Sequence, residues 1–197
     1  MTTSKPDQAQ HAQAVEALVA KHETAWQRGY GFFPAVLNKL GLSEGVEVGV
    51  AFGGHSEAIL QNTGVSRLIG VDSYAHRADY ADPMNLPQPQ FDVLHDRTCQ
   101  RLASFGERFD LVRAESAQAA ELFRSERFDF VYLDADHSEE GVYRDLCNWL
   151  PKVRVGGIIA GHDYGHRDFP GVQRAVDRFT RRFGWQVHEE GEGVWWA

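Results

Sequence analysis

Glu47-Val48-Gly49-Val50-Ala51-Phe52-Gly53-Gly54-His55-Ser56 is the stretch that decides the fold. Residues 46–50 form a short run rich in β-branched side chains. Gly53 and Gly54 break it, and Ser56 opens a helical pattern through Leu60. A strand that turns on glycines into a helix is the first half of a βαβ unit.

The same alternation continues downstream. Strand signals occur at 68–71, closed by Asp72, at 109–112, and at 128–133, closed by Asp134. Helical patterns follow the last two, at 117–123 and on the face marked by Val142, Leu146, Trp149 and Leu150. Pro151 and the pair Gly156–Gly157 punctuate before a fifth strand at 158–160. Val172, Val176 and Phe179 line another helix, and 185–188 and 194–196 read as the final strands. Only Gly and Glu residues, 189–193, separate those two strands. A parallel crossover needs a dozen residues or more, so the last strand must run antiparallel to the one before it. The expected fold is α/β and Rossmann-like, with helices on both faces of a seven-stranded sheet that is parallel except for its antiparallel last strand.

Upstream, residues 7–28 have helical spacing of Val15, Leu18, Val19, His22 and Trp26. They predict a helix docked over the sheet, with a dimer contact as the alternative. The expected division is a helical extension over 1–30 and one domain over 31–197. Residues 74–98 carry Pro83, Pro87 and Pro89 and read as one long loop, bordering a substrate pocket or forming a surface excursion.

Composition narrows the partners. The net charge of −8 and pI of about 5.5 disfavour nucleic acid and anionic membranes. Cys99 and Cys147 show neither metal-type spacing nor a disulfide framework, and Cys147 reads as a small core residue. The first ten residues are polar, and no apolar run approaches the ~20 residues of a membrane span. A cytoplasmic protein is expected, with a homodimer as the working assembly.

Ligands of open α/β sheets sit beyond the carboxyl ends of the strands. Here those ends carry Gly49 and Gly53, then Asp72, then Ala114-Glu115-Ser116, then Asp134. Glycines admit close backbone approach, and a carboxylate after the second strand can accept hydrogen bonds from ribose hydroxyls. The set points to an adenosine-containing ligand. Dinucleotide sites favour G-x-G-x-x-G, whereas this chain has Gly49-x-x-x-Gly53-Gly54 preceded by Glu47. An acid beside the glycines suits a cationic amino group better than a pyrophosphate.

With Gly70-Val71-Asp72, Asp129-Phe130-Val131-Tyr132-Leu133-Asp134-Ala135-Asp136-His137 and Gly156-Gly157-Ile158-Ile159-Ala160-Gly161-His162-Asp163-Tyr164, the chain resembles class I S-adenosylmethionine-dependent methyltransferases of the family 24 type. The resemblance implies that Glu47, Gly49 and Gly53 line the methionine moiety, with Ser56 near its carboxylate. Asp72 would hold the ribose, Glu115 and Ser116 would border the adenine, and Asp134 would sit under the sulfonium. Similarity to catechol-type O-methyltransferases implies a divalent metal (Mg, Mn or Fe) on Asp134, His162 and Asp163, with His162 departing from the usual acid. His137 and His162, with Asp134, are the acid–base candidates, since a His with a pKa near ~6.5 can take a hydroxyl proton. His55, His76 and His95 are expected at the surface. The implied acceptor is a small-molecule hydroxyl. A sugar- or antibiotic-modifying hydroxylase and a non-catalytic adenosyl-binding protein are the alternatives.

Overall fold

Alternating apolar side chains along the central strands supply two buried faces, and helices cover both. In the computed structural model, which describes residues 5–80, 82 and 84–197, the chain opens with α1 (Lys5–Trp26) and α2 (Phe32–Leu40). There follow β1 (Glu44–Val48), α3 (Gly54–Asn62), β2 (Arg67–Asp72), α4 (Gln88–Leu102), β3 (Phe109–Arg113), α5 (Ser116–Glu121) and β4 (Phe128–Leu133). The chain ends with α6 (Glu139–Trp149), β5 (Val153–Gly161), α7 (Pro170–Phe183), β6 (His188–Glu189) and β7 (Trp195–Trp196). Pro83 and residues 1–4 lie outside the described residues.

The seven strands form one sheet in the order β3-β2-β1-β4-β5-β7-β6. Strands β1 to β5 are parallel, and β7 runs antiparallel to both of its neighbours. The last strand is thus the single reversed one, inserted between β5 and β6. Val131 and Leu133 of β4 face Val142, Leu146, Trp149, Val172 and Val176 from α6 and α7. Phe130 and Tyr132 face the other way, onto Phe33, Val36, Leu37, Ile59 and Leu60 from α2 and α3. That period of two is what a strand buried on both sides requires.

Several expectations change. Residues 74–98 are not one loop, because α4 begins at Gln88. Pro87 precedes that helix and Pro89 sits in its first turn, where a missing N–H costs nothing. The helix α2 carries no strong start signal and was not anticipated. Helix α1 packs on α4 instead of covering the sheet, with Val15 and Val19 buried against Leu94, Leu86, Phe52 and Tyr74. Glu16 pairs with Arg97, and Glu23 with Arg101, at 2.6 Å each. Cys147 is exposed, on the outer face of α6. The strand expected at 185–188 shrinks to His188–Glu189, leaving Trp185 stacked on Phe183 at the surface.

Candidate active site

Strand register places the site. Val48 pairs with Val71 on one side and Leu133 on the other, and Leu133 pairs with Gly161. One residue further on, Gly49, Asp72, Asp134 and His162 therefore end four adjacent strands at one level. They open into a cavity of about 900 Å³, whose lining also includes Trp26, Tyr30, Arg77, Tyr80, Asp82 and Met84.

Gly49 is the tightest joint. Its φ is 94°, and a Cβ there would lie 1.9 Å from the Asp134 carbonyl oxygen. Only glycine lets the exits of β1 and β4 close on each other. Ala51 (φ 49°), Tyr74 (φ 45°) and Asp163 (φ 60°) also adopt left-handed backbone at these exits. Such strain is a mark of sites where position matters more than backbone comfort.

Glu47 is buried, and its carboxylate accepts hydrogen bonds from Ser56 Oγ and, at 2.7 Å, from the His55 ring. Asp72 Oδ2 accepts from the N–H groups of Val50 and Ala51, both at 3.0 Å, and Oδ1 from Tyr74 N–H at 2.9 Å. Burial pushes the Asp72 pKa up, opposed by those three N–H groups. Glu115 and Ser116 line the β3 side of the cavity. The Ser116 hydroxyl is already engaged, donating to Asp145 at 2.6 Å and accepting from Trp149 Nε1 at 2.9 Å. Across the cavity, Asp134, His162 and Asp163 each offer a ligand atom, all within 4.8 Å of one another.

A family model described as a methyltransferase domain matches residues 45–164, the segment that carries all of these groups except Trp26 and Tyr30. The chain belongs to this methyltransferase family. It is an S-adenosylmethionine-dependent enzyme. Solved structures share its fold at low identity. A Staphylococcus aureus protein described as a caffeoyl-CoA O-methyltransferase aligns with a TM-score of 0.64 at 12% identity, over 92% of this chain and 90% of the other. The calicheamicin methyltransferase CalS11 aligns at 0.62 and 15%, over 99% and 93%. An SAH-bound methyltransferase from Podospora anserina aligns at 0.60 and 12%, over 96% and 86%. No curated protein matches the chain in sequence.

In this methyltransferase two residues anticipated at the cofactor do not line the cavity. Gly53 turns the backbone beneath it, against Leu102 and Thr98. Ser56 is buried behind Glu47 and serves to hold that carboxylate. His55, expected at the surface, is instead a wall of the cavity. His76 is exposed and His95 half-buried, and neither reaches the cavity.

His137 departs furthest from expectation. Its Nε2 lies 3.1 Å from Asp163 and 3.4 Å from Asp134, and its Nδ1 lies 3.3 Å from Asp82 and from the Tyr80 hydroxyl. Burial alone would lower its pKa, but the hydrogen bonds to Asp134, Asp163 and Asp82 outweigh it and hold the ring protonated, far above its ordinary value. A base poised near neutrality is therefore not what this environment makes of it. His162 also loses to burial and gains more from Asp163 and Asp134, reaching about 9. Asp163, despite burial, is held below its usual range by His137 and His162.

Sequence reading missed Tyr30, Asp82 and Asp145. Tyr30 and Asp82 come from segments far from the strand ends in sequence, so no local pattern marks them. Asp145 did leave a signal, an acid on the apolar stripe between Val142 and Leu146. It is 4% exposed, and burial raises its pKa to about 6 against the hydrogen bond from Ser116. Among the described residues, no helix is long and apolar enough to cross a membrane.

Proposed function

We propose that this methyltransferase carries the methyl group to the oxygen of a small-molecule hydroxyl, with a divalent cation assisting. One observation supports the reading. Glu47 and Asp72 on one side, and the Asp134, His162 and Asp163 cluster on the other, open into the same cavity. Donor and acceptor can then be aligned in a single chamber, and such proximity contributes up to ~7–11 kcal/mol. Structural relatives described as O-methyltransferases favour oxygen as the acceptor atom.

The chain's own residues divide the work. Glu47, fixed by His55 and Ser56, accepts the ammonium of the donor's amino-acid tail. Asp72 faces the ribose, and Glu115 rims the adenine. Trp26, stacked on Phe52 at 5.0 Å, and Tyr30 cover the chamber against water. Two carboxylates and one imidazole fit Mg, Mn or Fe, and Asp134, His162 and Asp163 would hold it. Such a cation, when bound, favours the deprotonated form of an acceptor hydroxyl.

A second reading has its own observation. His137 Nε2 already bridges Asp134 and Asp163, so a protonated ring supplies positive charge beside the acceptor without metal. We place the protein in the cytoplasm, in keeping with its two free cysteines.

The test has two stages. S-adenosylhomocysteine at ~100 times its dissociation constant should add ~2.7 kcal/mol of stability, with NAD adding none. Labelled-methyl transfer to a panel of phenols and sugars then follows, with Mn, with Mg and with chelator. Stabilisation by NAD alone would defeat the methyltransferase site assignment. Undiminished transfer in chelator removes the cation and leaves the His137 reading.

A further inference from the structure

Two of the left-handed residues, Ala51 (φ 49°) and Tyr74 (φ 45°), flank a single carboxylate. Ala51 N–H donates to Asp72 Oδ2 at 3.0 Å, and Tyr74 N–H donates to Oδ1 at 2.9 Å. The Tyr74 hydroxyl then donates back to the Ala51 carbonyl at 2.9 Å. The three residues close a ring of hydrogen bonds with the carboxylate as one member. A carboxylate offers about four acceptor positions. Val50 and Ala51 fill two on Oδ2, and Tyr74 fills one on Oδ1. The position left for a ligand is on Oδ1, the oxygen that Tyr74 holds.

The ring is locked from α4 and β3. Thr98 Oγ1 lies 2.8 Å from the same Ala51 carbonyl, although its single proton is shared with Leu94 O at 2.9 Å. The Tyr74 carbonyl accepts from Gln88 Nε2 at 2.9 Å and from Arg113 Nη2 at 3.2 Å. Tyr74 and Thr98 are completely buried, and neither lines the cavity, whereas Ala51 and Asp72 both do. The two hydroxyls therefore work from behind the cavity wall. A residue other than glycine stays in left-handed backbone only where its surroundings over-determine it, and here two hydroxyl donors converge on one carbonyl to do so.

We infer that Tyr74, seconded by Thr98, is a positioning residue of the donor site, whose hydroxyl acts through Ala51 to aim Asp72 Oδ1 at the ribose. The inference rests on the reading of Asp72 as the ribose acceptor. It gives the buried part of residues 74–98 a task on the donor side of the cavity. Without the hydroxyl donors Ala51 can relax toward right-handed backbone. Its N–H then leaves Oδ2, and the carboxylate loses the orientation that the ribose needs.

The experiment measures, by calorimetry, the affinities of S-adenosylhomocysteine and of its 2′,3′-dideoxy analogue, which lacks both ribose hydroxyls. Their ratio isolates the contact at the ribose. The native protein should favour S-adenosylhomocysteine by about tenfold or more. Tyr74→Phe keeps the ring and should cut that preference by about threefold or more, while the analogue's affinity moves by less than about twofold. Thr98→Val should act in the same direction and more weakly, because its proton is shared. It reads the same ratio should Tyr74→Phe fail to fold. In an Asp72→Asn background Tyr74→Phe should leave the preference unchanged, since it acts through that carboxylate. Equal losses for both ligands, or the same loss of preference with Asp72 already replaced, would make the hydroxyls structural alone and overturn the inference. No binding of S-adenosylhomocysteine to the native protein, or no preference over the analogue, instead removes the donor role of Asp72 itself, which is a different result.

Discussion

Strand β4 ends in an acid at each side, and the two acids live differently. At its amino end Asp129 accepts hydrogen bonds from the N–H groups of Ser43 (2.7 Å) and Glu44 (3.0 Å) and pairs with Arg154 at 2.6 Å. Burial raises its pKa, but Arg154 and the two N–H groups lower it further. Its neighbours follow suit, with Glu44 paired to Arg127 and Asp110 to Arg67. At the carboxyl end, Asp134 and Asp163 have only histidines, and Asp72 only backbone N–H groups. Acids at the amino edge are neutralised by arginine and complete the structure. At the carboxyl edge protonated histidines face Asp134 and Asp163, and only backbone N–H groups face Asp72, which keeps acceptor capacity for a ligand.

Gly49→Ala should break the contrast most severely, since it drives a methyl group into the Asp134 carbonyl at a φ that alanine resists. We expect a loss of about 3 kcal/mol or more, seen as a melting temperature lower by roughly 6–12 °C, and no measurable cofactor binding by calorimetry. Next in size, Asp134→Asn should cut methyl transfer by ~10²–10³-fold while S-adenosylhomocysteine affinity stays within a few-fold. Equal losses in both quantities would mean that Asp134 serves the donor, not the reaction. Asp72→Asn should weaken S-adenosylhomocysteine by ~10–100-fold, the scale of a lost charged hydrogen bond.

Asp145 sharpens the comparison through pH. Its carboxyl titrates near 6 when folded and near 3.8 unfolded, so the folded state holds the proton more tightly. Its contribution is most favourable below about pH 4 and is lost as pH rises through 6. Urea melts of the native protein and of Asp145→Asn should therefore diverge by ~2–3 kcal/mol between pH 4 and pH 7, in favour of the variant at the higher pH. A constant difference would show that Asp145 is already ionised in the acid range. The smallest effect belongs to the amino edge. Arg154→Ala removes a pair whose cation is 42% exposed, and should cost less than ~1 kcal/mol with cofactor affinity unchanged.

Much of this architecture could be read along the chain. Strand–helix alternation reflects periods of two and 3.6 that burial imposes locally, and the short Glu/Gly link before the last strand forces its reversal by length alone. The acids and glycines at strand ends were legible because register brings such positions to one level in any parallel sheet. Helix α4 was hidden because prolines in a first turn look like loop punctuation, and α2 because no side chain caps its start.

What the sequence by itself determined is the doubly covered sheet, the single reversed strand and the row Glu47, Gly49, Asp72, Asp134, His162, Asp163, since all follow from short-range pattern plus chain length. Only the tertiary structure decided which side chains point where. It turned Ser56 away behind Glu47, brought His55 in, and set Asp82 and Tyr80 on His137 across more than fifty residues. It also set Arg77 and Arg144 beside Asp136. Such long-range pairings depend on packing between elements, and the charge state of a buried group depends on every neighbour that packing delivers.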